Sequence, residues 1–356
     1  MRTIDFRFVI LRNGSDYCLL QQLISSPPTL RMNESGIIKT SLSAEFLATV
    51  LNFDGEEDPE LAVNWLNDEI RAEMIIDGIV HPLGVFVPST ILTKQTKTGT
   101  TLQVEAYDRC WYIKDHYTTG TRYFAAGVNY ITAITQLLTE CGITLISQTP
   151  TNATLTEARE DWTIGTSYLT IINQLLSEIN YNPLWFDSSG LAILEPASIA
   201  SADAIDRMID IEDPASLGFP EMRRTTDIFN APNVFICICS NAEKASMVAT
   251  AENLNPQSAL SIPRRNRRIQ SVTYVDNIAS QTELQAYANR LRDKSMITSE
   301  TIMLTTELLP GFGVGDVIGL RNGDEMSLCI ERSWSMSLTP GGKMQHTLEK
   351  VVLQIG

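Results

Sequence analysis

Apolar residues recur along this chain with two different periods, and the places where the period changes divide it. Over residues 1 to about 117 the period is two. Phe6-Arg7-Phe8-Val9-Ile10-Leu11 is a strand-like run that ends at Asn13-Gly14, a dipeptide whose tolerance of positive φ suits a two-residue hairpin turn. Val85, Val87 and Ile91 are followed by Leu102, Val104 and Ala106, with polar Gln103 and Glu105 between the last three and Lys97-Thr98-Gly99 as the turn. Strand side chains point alternately to two faces, so this pattern predicts a half-buried antiparallel hairpin. Asp58-Pro59-Glu60 sets an N-cap residue before a proline suited to the first helical position, which predicts a short helix from Pro59 to about Asn67.

From 118 to about 198 the spacing turns helical. Asn129 is placed to cap a helix carrying Ile131, Ile134, Leu137, Leu138 and Cys141 on one face, ended by Gly142, and Ser167 opens a second with Leu169, Ile172, Leu175, Leu176 and Ile179. Two amphipathic helices need an apolar partner. Leu184-Trp185-Phe186, the turn Asp187 to Gly190 and Leu191-Ala192-Ile193-Leu194 supply a hairpin that is apolar on both faces.

Strand signals return after the Ala/Ser/Asp-rich link from Ala197 to Ala204. Asn233 to Cys239 and Val272 to Val275 read as strands, and Ser280 with Glu283 forms the capping box of a helix over 280–294 bearing Leu284, Tyr287, Ala288 and Leu291. In the last hairpin Ile330, Trp334, Met336 and Leu338 alternate with Ser333, Ser335 and Ser337. The first and last thirds share an outline of strands, one helix and a closing glycine-turned hairpin, which suggests an internal duplication. The predicted class is α+β, mainly β. Two similar antiparallel β-barrel domains, 1–117 and 199–356, flank an inserted α+β domain, 118–198, and helix 280–294 belongs to the second barrel.

Composition narrows the function. With 356 residues, 44% hydrophobic and 19% charged, the chain can bury a core without metals or disulfides. Its formal charge of −15 repels nucleic acid and anionic membranes through the net field. The six cysteines are scattered among apolar runs and read as reduced, buried thiols. The charged N-terminus gives no export signal, and no apolar run approaches the roughly 18 residues of a membrane span.

No catalytic constellation stands out. His81, His116 and His346 lie far apart in strand or turn settings, and no metal or cofactor is expected. Cys237-Ile238-Cys239 puts both sulfurs on one strand face and reads as core, since a metal or redox pair would want two intervening residues. Gly311-Phe312-Gly313-Val314-Gly315-Asp316 has dinucleotide-like spacing but leads into the strand Val317-Ile318-Gly319-Leu320. A phosphate site needs a helix there, so the run reads as a barrel turn. Glu56-Glu57-Asp58 and Glu212-Asp213 read as solvated acidic loops. The local sign reversal is Arg264-Arg265-Asn266-Arg267-Arg268. Nucleic-acid binding would want aromatic neighbours and a basic surround. A loop in which Arg264, Arg265, Arg267 and Arg268 dock carboxylates of a neighbouring subunit fits the acidic chain better.

At these residues the chain resembles a known family. Asn255-Pro256-Gln257-Ser258, the arginine run, Val275 to Ser280, Leu309-Pro310-Gly311 to Asp316-Val317-Ile318 and Ser335-Met336-Ser337-Leu338-Thr339-Pro340-Gly341 resemble the C-terminal half of phage tail hub proteins of the contractile baseplate group, related to PBSX-type prophages and phage-like bacteriocins. Tyr181 to Asp187 also fits. The resemblance covers roughly residues 100 to 356. It implies a tail-tube-like fold and a homotrimeric ring between a hexameric tail tube or distal tail protein and a spike or tip protein. It also implies a channel that passes the tape measure protein and DNA without specific binding, and a virion location after assembly in the host cytoplasm. With no lysozyme, peptidase or receptor-binding domain appended after Gly356, a non-enzymatic role is expected. The alternatives are a tail-associated cell-wall hydrolase and a bacterial secretion-system spike-hub component.

Overall fold

Alternation closes into a barrel within the first third. The computed structural model describes residues 2–351 other than 24, 98, 198–203, 213–217, 226–230, 241–245, 276–277, 279 and 298–299. Seven strands come first: β1 (Ile4–Arg12), β2 (Ser15–Gln22), β3 (Thr29–Asn33), β4 (Thr40–Leu51), β5 (Glu69–Ile76), β6 (Ile79–Thr96) and β7 (Gly99–Asp108). Asn13 and Gly14 both take positive φ in the β1–β2 turn, and Asp77 and Gly78 do the same between β5 and β6. These primed turns match the twist of the strands they join. Neighbours run β4-β2-β1-β5-β6-β7, and β7 pairs again with β4. Closure rests on the length of β4, whose residues 46–51 reach β2 while residues 41–47 pair with β7. Phe8, Ile10, Leu42, Phe46 and Met74 fill the interior.

The helix expected from Pro59 to Asn67 is absent; the segment holds only turns. Asp58 accepts the Glu60 amide and so caps a turn. Buried Asp68 accepts from the Asn64 amide and from Arg12. With the cap signal satisfied locally and the next hydrogen bonds drawn to Asp68, no helical ladder propagates.

A separate core follows in α1 (Cys110–Asp115), β8 (Arg122–Phe124), α2 (Tyr130–Glu140), β9 (Ile146–Gln148), β10 (Arg159–Trp162), α3 (Tyr168–Glu178), β11 (Trp185–Phe186) and β12 (Ala192–Leu194). Asn129 caps α2 by accepting from the Ile131 and Thr132 amides. Ser167 precedes α3 but donates its hydroxyl to the Lys114 carbonyl, tying α3 to the end of α1. The β11–β12 hairpin forms as expected, and β9 adds to β12 in parallel.

The last part holds β13 (Arg207–Asp210), β14 (Gly218–Thr225), β15 (Val234–Cys239), β16 (Met247–Glu252), α4 (Ile262–Arg265), β17 (Gln270–Val275), α5 (Gln281–Ile297), β18 (Thr301–Glu307), β19 (Val317–Asn322), β20 (Glu325–Ser337) and β21 (Lys343–Val351). Six of these run β13-β19-β20-β21-β18-β14. Taken in chain order, that is the neighbour order β1-β5-β6-β7-β4-β2 over again. One pair departs from the antiparallel rule, because β13 joins β19 in parallel. No two-residue hairpin ties β13 to β14, and more than a hundred residues separate β13 from β19, ample length for a crossover. β3 pairs with β4 on one side and β20 on the other, so both six-strand sets belong to one sheet and share one hydrophobic cluster.

Helix α5 begins at the expected box, with Ser280 accepting the Glu283 amide, and runs beyond Lys294 to Ile297. Its place differs from expectation. Leu284 and Ala288 pack on Cys237, Cys239, Ala249 and Ala251 of the small sheet β16-β15-β17, outside the barrel core. Cysteine and alanine at these four positions leave room for a helix to approach the small sheet closely.

Candidate subunit interface

The arginine run is held by two buried asparagines. Asn233 and Asn253 are fully buried at the end of the β15–β16 hairpin ladder. The Asn233 amide nitrogen donates to the carbonyls of Leu260 and Arg267, and its oxygen accepts the Ile269 amide. Asn253 donates to the Ser258 hydroxyl and accepts the Asn255 amide, and its own carbonyl accepts from Ile262. The two side chains thus satisfy the Leu260 and Arg267 carbonyls and the Asn255 and Ile269 amides, which anchors both ends of the 254–269 loop to the sheet. Within it Ser261 caps the single turn α4, with Pro263 in the first turn and Asn266 left-handed at its end.

The four guanidiniums divide in two. Arg265 donates to the Ala231 carbonyl at 2.7 Å, and Arg268 pairs with Glu252. Arg264 and Arg267 are exposed and make no ion pair among the described residues. The asparagines escaped the sequence reading; the signal that could have found them is an amide side chain at each end of an apolar strand pair.

A second cluster escaped it too. His346 lies buried between Glu331, with 2.6 Å from Nδ1 to Oε2, and Thr306, with 2.9 Å from Nε2 to Oγ1. Burial pushes the Glu331 carboxyl up to about 6, against the favourable hydrogen bond with His346. A hydroxyl, an imidazole and a carboxylate in series have the order of a hydrolase triad. The proton bookkeeping argues against one. The Thr306 hydroxyl lies 2.8 Å from the Glu307 carbonyl as well as 2.9 Å from His346 Nε2, so the carbonyl competes with the imidazole for its single proton. All three groups are sealed in the core. A cleft of about 350 Å³ lined by Trp65, Trp111, Tyr112 and His116 lies elsewhere.

The other sequence candidates are accounted for. His81 is half-buried on β6 and His116 is exposed, its ring 4.4 Å from that of Tyr168. Cys237 and Cys239 are core residues, and burial raises the Cys237 thiol. Glycines 311 to 315 form a loop whose Gly313 amide donates to Asp316, directly before β19. Glu56 and Glu57 are exposed, as is Glu212, while Asp213 lies outside the described residues. Among the described residues no group of three or more histidine, cysteine or carboxylate side chains is placed to hold a metal ion. No described helix is long and apolar enough to cross a membrane.

No protein-family model and no curated protein matches this sequence. Solved structures do. A tail protein from Neisseria meningitidis MC58 superposes with a TM-score of 0.66 at 11% identity, over 97% of this chain and 96% of its own. The fold is that of phage tail proteins. The 43 kDa tail protein of prophage MuSo2 from Shewanella oneidensis gives 0.66 at 10% identity, covering 97% of this chain and 98% of its own. An E. coli component of the type VI secretion system, described as structurally similar to the T4 tail proteins gp27 and gp5, gives 0.52 at 8% identity over 97% of this chain and 77% of its own. The tail-like architecture implied by the turn motifs is therefore present over nearly the whole chain, including the first hundred residues.

Proposed function

We propose that this chain is the structural hub of a phage or phage-like tail, three copies of which form a ring between a hexameric tube and a trimeric spike or tip. The observation that carries the reading is the repeated neighbour order of six strands, on a chain with the fold of tail proteins throughout. A ring that meets six subunits above and three below needs two similar surfaces per chain. Domains 1–117 and 199–356 supply them, with 118–198 as an outer insert. The ring sits in the virion tail and surrounds the channel for DNA and the tape measure protein. A channel that lets DNA slide is lined by carboxylate or neutral groups, since each cation on phosphate adds affinity, and a formal charge of −15 per chain favours that lining.

Native mass spectrometry and negative-stain microscopy of the purified protein test this. A trimeric ring with pseudo-sixfold features and a central pore is expected; a stable dimer overturns it. The protein should also leave peptidoglycan uncleared, because Thr306, His346 and Glu331 are closed to substrate. The second reading, a secretion-system spike hub, draws support from the likeness to the E. coli component. Immunogold labelling of tail particles rather than of secretion assemblies separates the two.

A further inference from the structure

The small sheet β16-β15-β17 has α5 on one face and nothing described on the other. Register sets Ile236 between Thr250 and Val272, and Ile238 between Val248 and Tyr274, all on the face away from α5. Val248 is 52% exposed, Val272 48% and Tyr274 75%. The Arg268–Glu252 pair closes one end of this face, because Glu252 lies opposite Val234 in the same alternation. Arg264 and Arg267 project from the loop just beyond. The surface is an apolar strip with a cationic end.

Its complement is present on the same chain. The loop between β4 and β5 sets Phe53, 51% exposed, beside the exposed carboxylates Asp54, Glu56, Glu57 and Glu60. Among the described residues no hydrogen bond or ion pair joins this loop to the small sheet, so the two surfaces are free to meet between copies. The internal repeat says where. In the first half the connection from the second barrel strand to the next carries β3, which reaches across to pair with β20 of the other half. In the second half the equivalent connection, from β14 to β18, carries the small sheet. If the halves alternate around a ring, that connection faces the first half of the next copy.

We propose that the apolar strip and arginine loop of one copy dock onto the acidic Phe53–Glu60 loop of the next, an inference that rests on the ring reading above. Each copy uses two different surfaces. Such head-to-tail contacts close into rings when the rotation permits, and opposite charges steer and register them.

Charge reversal tests the contact. Arg264→Glu with Arg267→Glu, or Glu56→Arg with Glu57→Arg, should each weaken assembly by about tenfold or more in light scattering at low salt, with monomer melting unchanged because all four side chains are exposed. All four changes together should restore the ring. Tyr274→Cys with Phe53→Cys should cross-link copies under mild oxidation. If the wild type forms rings, then rings that form equally well in both reversed variants, or that stay disrupted in the fourfold variant without cross-linking of the cysteine pair, overturn this interface and leave the ring reading standing. A wild-type chain that never passes beyond a monomer or dimer overturns both.

Discussion

Two glutamates on one strand respond to acid in opposite directions. Glu331, buried in β20 beside His346, has its pKa raised from 4.5 to about 6 by loss of solvent. The folded state therefore binds more protons than the unfolded state between those values, and stability falls as pH rises through that window, by about 2 kcal/mol for this group. Glu325, at the exposed start of the same strand, is held down to about 2 by hydrogen bonds from Lys350 and then Arg224. Its contribution is present above the ordinary carboxylate range and is lost as pH falls toward 2. Denaturant melts of wild type and Glu331→Gln should diverge between pH 4.5 and 7, wild type losing ground as pH rises. Parallel curves would mean that Glu331 does not titrate in that window. His346→Ala should cost about 3–5 kcal/mol at pH 8, where it strands a buried carboxylate.

At the scale of elements, the small sheet and α5 form a core of their own, apart from the cluster shared by the two six-strand sets. Few residues hold it. Leu284→Ala removes its largest fully buried aliphatic side chain and should cost about 2–5 kcal/mol locally. Thiol labelling reads this directly: Cys237 and Cys239 should react faster in the variant while Cys18 and Cys329, in the shared cluster, stay protected. Equal acceleration at all four would show that the sheet and the barrel open as one unit. The arginine loop depends on Asn233 in a different way. Asn233→Ala leaves the Ile269 amide and the Arg267 and Leu260 carbonyls without the partner they now share, at about 1–3 kcal/mol per stranded group. Hydrogen exchange at Ile269 should rise, with little change at β20.

For the whole molecule, β3 is the link that makes two sets of strands one sheet. Its bond to β20 is reinforced by Arg332, which donates to Glu34 at the end of β3 and to Glu349 on β21. The Glu34 amide in turn donates to the Arg332 carbonyl. Since the apolar cluster is continuous across that seam, the two halves should unfold in a single calorimetric transition. Arg332→Ala should lower its midpoint without splitting it, and exchange should accelerate along Thr29–Asn33 and residues 333–337. Two resolved transitions would mean that the halves are independent folding units.

Local signals were enough wherever an element's hydrogen bonds are settled by its own neighbours. Asn13-Gly14 turns β1 into β2, Asn129 caps α2, Ser280 caps α5, and the alternation of Trp334 and Met336 with Ser335 and Ser337 sets the buried face of β20. Asp58-Pro59 shows the limit of such signals. The same residues cap a helix or a turn, and distant Arg12 and Asp68 decide between them. The Thr306–His346–Glu331 chain lay outside any sequence window, because its members come from three strands joined only by sheet pairing. Likewise the pattern of Leu284 and Ala288 declared an apolar helix face without naming its partner. That choice went to the small sheet, where cysteine and alanine side chains let the helix come close. Periodicity and turn chemistry are properties of a few consecutive residues, so the sequence determined the elements and their buried faces. Which faces meet depends on shape and on charges as far apart in the chain as Arg12 and Asp68, and only the tertiary structure decided it.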